Sequence, residues 1–236
     1  LDHRIDQVDS EDDERGGTVA LTRAQVDDYR LDVTAASFSY QNRLEISVAA
    51  QMFNLENLGA ELRQHVFGVK YRVAGDLIYT SMPQISVGAL YKRNTRYDIP
   101  ELVGSQRDSD WEAYVAASKV WLAGPFDRTW LANVTLRATR ANQFGLLGFG
   151  GDRGDSHQIA VEAATAVFLH RSLAVGVEYR QKPDNLSFAK EEDAMSAFVA
   201  WFPSKRVALV GAFLDLGSIA GATNQTGYYL SLQASF

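Results

Sequence analysis

The 236-residue sequence contains no cysteine, and its net charge is −6 at pH 7. The absence of cysteine excludes disulfide bonds, thiolate metal sites and cysteine nucleophiles. An acidic balance is unlike the basic surface that nucleic-acid-binding domains present, so no nucleic-acid partner is expected. The sequence also lacks G-x-S-x-G, H-E-x-x-H and a glycine-rich phosphate loop after a strand. We therefore expect no enzyme and no cofactor.

Long apolar runs are also missing. The wholly apolar runs are only a few residues long, whereas a membrane-spanning helix needs about 20. The mean hydropathy of −0.17 alone would indicate a soluble protein. A hydropathy average cannot detect transmembrane strands, however, because apolar and polar residues alternate along them and cancel.

Alternation is what the sequence has in abundance. In segment 44–53, LEISVAAQMF, the residues Leu44, Ile46 and Val48 alternate with Glu45, Ser47 and Ala49. This period of two places one set of residues on each face of a strand. The pattern predicts about twelve strands of roughly 8–12 residues, which suits a tilted strand that crosses a bilayer. They lie near 17–24, 29–40, 44–53, 65–74, 84–92, 111–122, 129–140, 158–169, 173–182, 194–202, 207–216 and 227–236.

The predicted connections alternate in length. Short ones at 41–43, 124–128, 170–172 and 203–206 alternate with long ones at 54–64, 93–110, 141–157, 183–193 and 217–226, and the intermediate 75–83 falls in the short series. Short periplasmic turns and long extracellular loops are typical of outer-membrane barrels. The fold class predicted is all-β, a transmembrane antiparallel up-and-down β-barrel.

Aromatic residues occur near the ends of the apolar faces, where they would form girdles at the membrane interfaces. A sandwich core is the alternative, but the opposite strand faces carry charges. The predicted girdle comprises Tyr29, Tyr71, Tyr91, Trp111, Trp130, Tyr179, Trp201 and Tyr228.

The opposite face would line the lumen with charges of both signs. Paired charges could fill a small barrel or line a narrow wet pore. Twelve strands lie between the filled eight-stranded barrels and the open porins of sixteen or more, so the strand number does not decide. The lumen candidates are Glu45, Lys70, Arg72, Lys92, Arg137, Glu162, Glu178 and Arg180.

Two segments stand outside this strand pattern. Residues 1–16 form an acidic N-terminal segment before a barrel domain of residues 17–236. It is either a solvated tail or a plug that meets lumen cations such as Arg72. The chain begins at Leu1 without a methionine, so a processed or partial form is expected.

Loop 141–157 combines apolar residues with glycines. Its side chains could form an inward constriction, insert at the outer interface or contact a partner. These candidates are Phe144, Leu146, Leu147 and Phe149. Asp152 and Asp155 are weak candidates for a hard cation, and no metal site is expected. Asp152 with His157 is a possible acid–base pair without further support.

The segments ANQFGLLGFGGDRGDSHQ, LAVGVEYRQKPDNLSFAKEEDAMSAFVAWFP, GYYLSLQASF, VDDYRLDV and HVFGVKYRVAGD resemble the DUF3034 family of Gram-negative bacteria. The resemblance covers about residues 18–236, with 142–202 the most specific part. It implies an outer-membrane barrel without an established function, and fourteen strands in the full chain are possible. It supplies no catalytic residues. Residues 1–17 depart from the glycine-rich family pattern.

The chain ends on an alternating strand and an aromatic residue, Phe236. This ending resembles the signal that outer-membrane assembly machinery reads. We expect Phe236 at the periplasmic rim, facing lipid, with the last strand closing the barrel against the first. Outer-membrane lipids, lipopolysaccharide and the assembly machinery are the expected partners.

Three functions remain open. The first is a narrow channel for small solutes across the outer membrane. The second is a closed structural barrel that docks a partner protein through its extracellular loops. The third is an enzyme at the extracellular rim, near His65 and His157.

Overall fold

A computed structural model describes residues 15–56 and 59–236 of the chain. Twelve antiparallel strands, β1 to β12, form a closed barrel in which each strand pairs with its sequence neighbours and β1 pairs with β12. The all-β barrel prediction is therefore confirmed. A further pair of strands could join only by opening the β1–β12 seam.

All twelve predicted strands are present, and their ends differ by a few residues. The bounds are β1 Arg15–Val26, β2 Tyr29–Tyr40, β3 Leu44–Leu55, β4 Ala60–Ala74, β5 Gln84–Asn94, β6 Ser109–Trp121, β7 Trp130–Thr139, β8 Gln158–His170, β9 Leu173–Arg180, β10 Ala194–Ser204, β11 Val207–Asp215 and β12 Thr226–Ser235.

The largest difference lies between β3 and β4. The sequence predicted a long loop at 54–64, whereas the ladder continues from Leu55 opposite Ala60. Glu61 and Arg63 hid this extension, because charged residues suggest a loop. They lie on the outer face of β4, while Leu62 and Gln64 lie buried on the inner face.

Helical structure is minor. A short helix, α1 (Asp98–Leu102), lies between β5 and β6, and single 3₁₀ turns occur at Pro125–Asp127 and Asn142–Gly145. No helix among the described residues is long and apolar enough to cross a membrane.

The connections divide the barrel into two ends. One end, the loop end, carries the connections 27–28, 56–59, 95–108, 140–157, 181–193 and 216–225. The other end, the turn end, carries 41–43, 75–83, 122–129, 171–172 and 205–206, together with the start of β1 and the end of β12. The long connections predicted from the sequence lie at the loop end, and the predicted short series lies at the turn end.

The outer face of the barrel is a band of exposed apolar side chains. Leu21, Ile46, Phe67, Val115 and Leu230 are each 47–58% exposed, although they lie within regular strands. Such exposure along strands is expected where the surrounding medium is lipid.

Seven of the eight predicted girdle aromatics lie on the outer face, and Tyr29 is the exception. Tyr29 points into the barrel, where it is 8% exposed. Its ring stacks on Phe53 with centroids 5.2 Å apart, and its hydroxyl donates a hydrogen bond to the carbonyl of Ile219 at 3.1 Å. The girdle prediction was wrong at Tyr29 because the outer face of β2 carries the even-numbered Phe38 and Tyr40.

The C-terminal residue closes the seam. The amide of Gly17 donates to the Phe236 carbonyl at 2.8 Å, and the Phe236 amide donates back to the Gly17 carbonyl at 3.0 Å. The Phe236 ring lies over Gly17, where a Cβ would come within 2.6 Å of a ring carbon. The ring remains 78% exposed at the turn end.

Deletion of Phe236 removes two seam hydrogen bonds and the terminal aromatic ring. We expect less folded barrel in the membrane, measured as the heat-modifiable band on gels of membrane fractions. Phe236→Tyr keeps both features and serves as the control. Full assembly of the deletion variant would contradict an assembly role for this residue.

Candidate functional site

Six lumen side chains form a row of alternating charge across strands β5 to β9. We call this set the charge row: Lys92, Glu112, Arg137, Glu162, Arg180 and Glu178. Lys92 Nζ lies 2.8 Å from Glu112 Oε2, and Arg180 Nη2 lies 2.9 Å from Glu162 Oε1. Arg137 joins the two pairs, because it contacts Glu112 at 3.6 Å and hydrogen-bonds Glu162.

The alternation lets the row exist inside the barrel. All six side chains are at most 12% exposed. A buried charge without a partner is expensive, and removing one member of a buried pair typically costs about 3–5 kcal/mol. Each member here has at least one neighbour of opposite sign, and Thr139 also donates to Glu112. The row is therefore neutral overall.

The other predicted lumen charges lie near the turn end. Glu45 and Lys70 are Cα partners across the β3–β4 ladder, and Arg72 follows two residues later on the same face of β4. The eight predicted lumen charges therefore fall into two groups at different depths. Glu112, which the prediction omitted, links two of the predicted residues and shares their strand-face alternation.

The connection after β7 folds into the barrel mouth. We call residues 141–150 the lumen segment. Leu146 and Leu147 are 5% and 1% exposed and belong to an apolar cluster with side chains of β1 to β4. Other members of this cluster are Val26, Tyr29, Phe53, Leu55, Leu62 and Ile219. The segment thus reaches from β7 to the opposite wall.

Polar side chains hold the backbone of the lumen segment. Lys92 Nζ donates to the Phe144 carbonyl at 3.0 Å, and Asn94 Nδ2 donates to the Gly145 carbonyl at 2.9 Å. On the other side, Gln143 Nε2 donates to the Ser218 carbonyl at 3.0 Å. These contacts satisfy backbone groups that would otherwise be buried without partners.

Phe144 connects the lumen segment to the charge row. The guanidinium carbon of Arg180 lies 4.5 Å from the centre of the Phe144 ring, and Lys182 Nζ lies 5.8 Å from it. A cation over an aromatic face is attractive, more so when both are shielded from water. Lys92 and Arg180 therefore each serve both the charge row and the segment.

The tip of the segment has an unusual backbone. Gln143 and Phe144 adopt φ angles of 46° and 59°, in the left-handed region that non-glycine residues rarely occupy. Gly145 follows with φ 101°, and a Cβ there would lie 2.7 Å from Gln64 Nε2. The tertiary contacts around the tip hold this conformation.

All four apolar loop candidates lie inside the mouth. Leu146, Leu147 and Phe149 are buried, and Phe144 is half-buried beneath Arg180. Their burial places them within the mouth, and none of the four lies on the outer face of the barrel. Their role as a constriction stays a prediction.

Asp152 and Asp155 do not form a shared cation site. Asp152 accepts hydrogen bonds from the amide and hydroxyl of Ser187, which lower its pKa. Asp155 pairs with Arg107, and that hydrogen bond lowers the pKa of Asp155. Within residues 15–56 and 59–236, no group of three or more His, Cys, Asp or Glu side chains is arranged to hold a metal.

The two rim histidines have different surroundings. His157 Nε2 lies 3.0 Å from Asp110 Oδ2 and 3.0 Å from the Trp111 carbonyl, while His65 lies on the outer face of β4. Asp152 is held by Ser187, so it is not the partner of His157.

The lumen wall on the turn side of the charge row carries both small and large side chains. Alternation along the strands points Ala35, Ala49, Gly88, Ala164 and Gly176 inward, and all five are partly exposed. Tyr114 and Phe198 also point inward. Nearer the turn end, the inward rings of Phe168 and Phe202 stack with centroids 6.1 Å apart.

The predicted acidic plug, residues 1–16, falls almost wholly outside the described residues. β1 begins with Arg15 at the turn end, opposite Tyr40. The choice between tail and plug therefore stays a prediction.

Sequence reasoning overlooked a buried pair in the connection after β9. Lys182 Nζ donates to the Leu216 carbonyl at 2.9 Å and to Gln143 Oε1 at 3.2 Å, and it lies 3.6 Å from Glu191 Oε2. Burial raises the pKa of Glu191 to about 7 and lowers the pKa of Lys182. Lys182 continues the inward series of Glu178 and Arg180, so the alternation could have revealed it.

Solved structures with a similar fold are outer-membrane porins and channels. The KdgM porin aligns with 93% of this chain and 99% of its own, with a TM-score of 0.60 and 10% identity. Omp33 of Acinetobacter baumannii aligns over 96% and 100%, with a TM-score of 0.55 and 10% identity. The COG4313 outer membrane channel of Pseudomonas putida F1 aligns over 99% of both chains, with a TM-score of 0.51 and 11% identity.

The fold therefore defines a porin-like β-barrel of the bacterial outer membrane. The chain belongs to the family described as "Protein of unknown function (DUF3034)", whose model matches residues 7–233. A search of curated proteins returns no significant match. In such barrels the turns are periplasmic and the long loops extracellular, so the loop end faces the outside of the cell.

The raised pKa of Glu191 predicts that loop 181–193 opens more often as the pH rises. The closed loop holds the Glu191 proton up to about pH 7, whereas an opened loop releases it near 4.5. The closed form thus binds more protons between these values and loses stability as pH rises through them. Amide hydrogen exchange in this loop, corrected for intrinsic rates, should accelerate from pH 5 to pH 7.5 by about tenfold or more.

Glu191→Gln is the matched control, because it removes the titrating group and keeps Lys182. The variant should lose most of the pH dependence. An equal pH response in the variant and the wild-type protein would assign the effect to other groups.

Proposed function

We propose that this protein is a narrow channel for small solutes across the outer membrane, whose extracellular mouth is closed in this conformation by the lumen segment. The observation that carries the proposal is the contrast between the two halves of the lumen. The extracellular half holds the charge row and residues 141–150, whereas the wall of the periplasmic half includes small inward residues such as Ala35, Ala49 and Ala164. In a barrel with a purely structural role, we would expect larger residues in place of Ala35, Ala49 and Ala164, because they would fill the lumen more completely.

The way the lumen segment is held supports displacement without damage to the barrel. Its tip is held by side-chain contacts such as those from Lys92, Asn94 and Lys182. Its end at Phe149 forms a backbone bridge with Arg107 in another loop. The barrel wall is held by continuous ladders between the strands, which do not include the segment tip. Movement of the segment would therefore open the mouth at the expense of a limited set of contacts.

The charge row bears on which solutes would pass. Its three basic and three acidic side chains pair with one another, so it presents no excess of either sign. A row of this kind favours small polar solutes of low net charge over strongly anionic or cationic ones.

A closed scaffold is the second candidate. It is supported by contacts that join the extracellular connections to one another, including Arg153 with Asp184 at 3.0 Å and the amide of Ser187 with Asp152 at 2.8 Å. A rigid extracellular surface formed by loops 95–108, 140–157 and 181–193 would suit a docked protein partner.

Conductance of a segment-replacement variant separates these functions. Replacing residues 142–148 by an equal-length Gly-Ser linker should raise single-channel conductance in planar bilayers several-fold. The replacement removes Phe144 and also Leu146 and Leu147, which pack against the opposite wall. The same replacement at 98–104, which includes α1, is the control and should leave conductance unchanged. A correctly folded 142–148 variant that conducts no better than wild type would contradict the channel proposal.

A further inference from the structure

The outer wall of the barrel carries a row of aromatic side chains close to its extracellular rim. Phe67, Tyr91 and Trp111 are cross-strand partners on β4, β5 and β6. The Tyr91 and Trp111 rings lie 4.9 Å apart, and Trp111 is 62% exposed. The three rings form a continuous amphipathic surface on the lipid side, where aromatic residues favour the interface.

Basic side chains lie directly on the extracellular side of these rings. His65 and Arg93 are cross-strand partners on the outer face. Each lies two residues along its strand from Phe67 or Tyr91, on the side toward the loop end. Arg96 follows shortly after the end of β5. The side chains of Arg93 and Arg96 are 63% and 55% exposed.

The guanidinium donors of these two arginines are available. Within residues 15–56 and 59–236, the closest carboxylate of Arg93 is Asp108 at 3.9 Å, and that of Arg96 is Glu61 at 3.9 Å. These contacts are too long for hydrogen bonds. Glu61 is bonded more closely to Arg63, at 2.5 Å, so its charge is largely compensated.

The surface is concave at this place. A depression of about 400 Å³ is lined by Phe67, Tyr91, Arg93 and their neighbours. A second depression of about 330 Å³ next to it is lined by basic Arg63 and Arg96, acidic Glu61 and Asp98, and apolar residues such as Ile99. Residues 94–96 run between the two.

We infer that this concave surface binds a phosphorylated glycolipid of the outer leaflet. Its phosphate contacts Arg93 and Arg96, whose planar guanidinium groups match phosphate oxygens in pairs. Its acyl chains lie along Phe67, Tyr91 and Trp111 toward the middle of the membrane. The order of basic and aromatic rows follows the order of headgroup and chain in the leaflet that surrounds the extracellular half.

Native mass spectrometry of the detergent-purified protein tests the inference. The probes are bisphosphorylated lipid A, the same lipid without phosphates, and inorganic phosphate. We expect the wild-type protein to retain bisphosphorylated lipid A. The double variant Arg93→Gln/Arg96→Gln should bind it at least about tenfold more weakly.

The matched control is Arg23→Gln, because Arg23 is also an outward arginine near the extracellular rim but is bonded to Asp32 at 2.6 Å. It should bind the lipid like wild type. Heat modifiability shows that each variant is folded. Equal retention of the dephosphorylated lipid, or unchanged binding by the double variant, would overturn the inference. Displacement of the lipid by millimolar inorganic phosphate would assign the site to free phosphate and overturn the lipid assignment.

Discussion

The alternating charges of the lumen are the interaction on which the interior of this barrel depends. Lys92, Glu112 and Arg137 begin a row that continues across β8 and β9, and each member compensates its neighbours. Two of its cations also hold the lumen segment, Lys92 through the Phe144 carbonyl and Arg180 through the Phe144 ring. The row thereby anchors a connection between two strands inside the extracellular mouth.

The wall obeys a separate constraint. Backbone groups within lipid must be paired by the protein itself, which only helices and closed barrels achieve. The β1–β12 ladder and the reciprocal bonds of Gly17 with Phe236 meet this requirement at the seam. Because the ladders provide the stability of the wall, the inner face is free to carry charges and small residues. The two halves of the lumen can therefore differ without weakening the barrel.

The sequence predicted the wall well and the mouth poorly, for a physical reason. Alternation is local, and it located all twelve strands and put residues such as Lys92 and Arg137 on the inner face. The girdle prediction was wrong at Tyr29, because the outer face was assigned there from the residue type and not from its odd-numbered position in the alternation. The inward path of residues 141–150 depends on left-handed backbone at Gln143 and on apolar contacts with β1 to β4. Such long-range contacts leave no periodic signal, so only several alternative placements could be stated.

The central claim is that the lumen segment closes the lumen toward the outside of the cell. The chain has no cysteine, so a single introduced thiol reports on one position. Ala49→Cys places a thiol in the periplasmic half, and Leu102→Cys, at an 85% exposed extracellular position, is the control.

A bulky membrane-impermeant maleimide is applied to intact cells and to cells whose outer membrane has been permeabilised. Leu102→Cys should react in both. Ala49→Cys should react only once the reagent has reached the periplasm. Equal labelling of Ala49→Cys in intact cells would contradict a closed extracellular mouth.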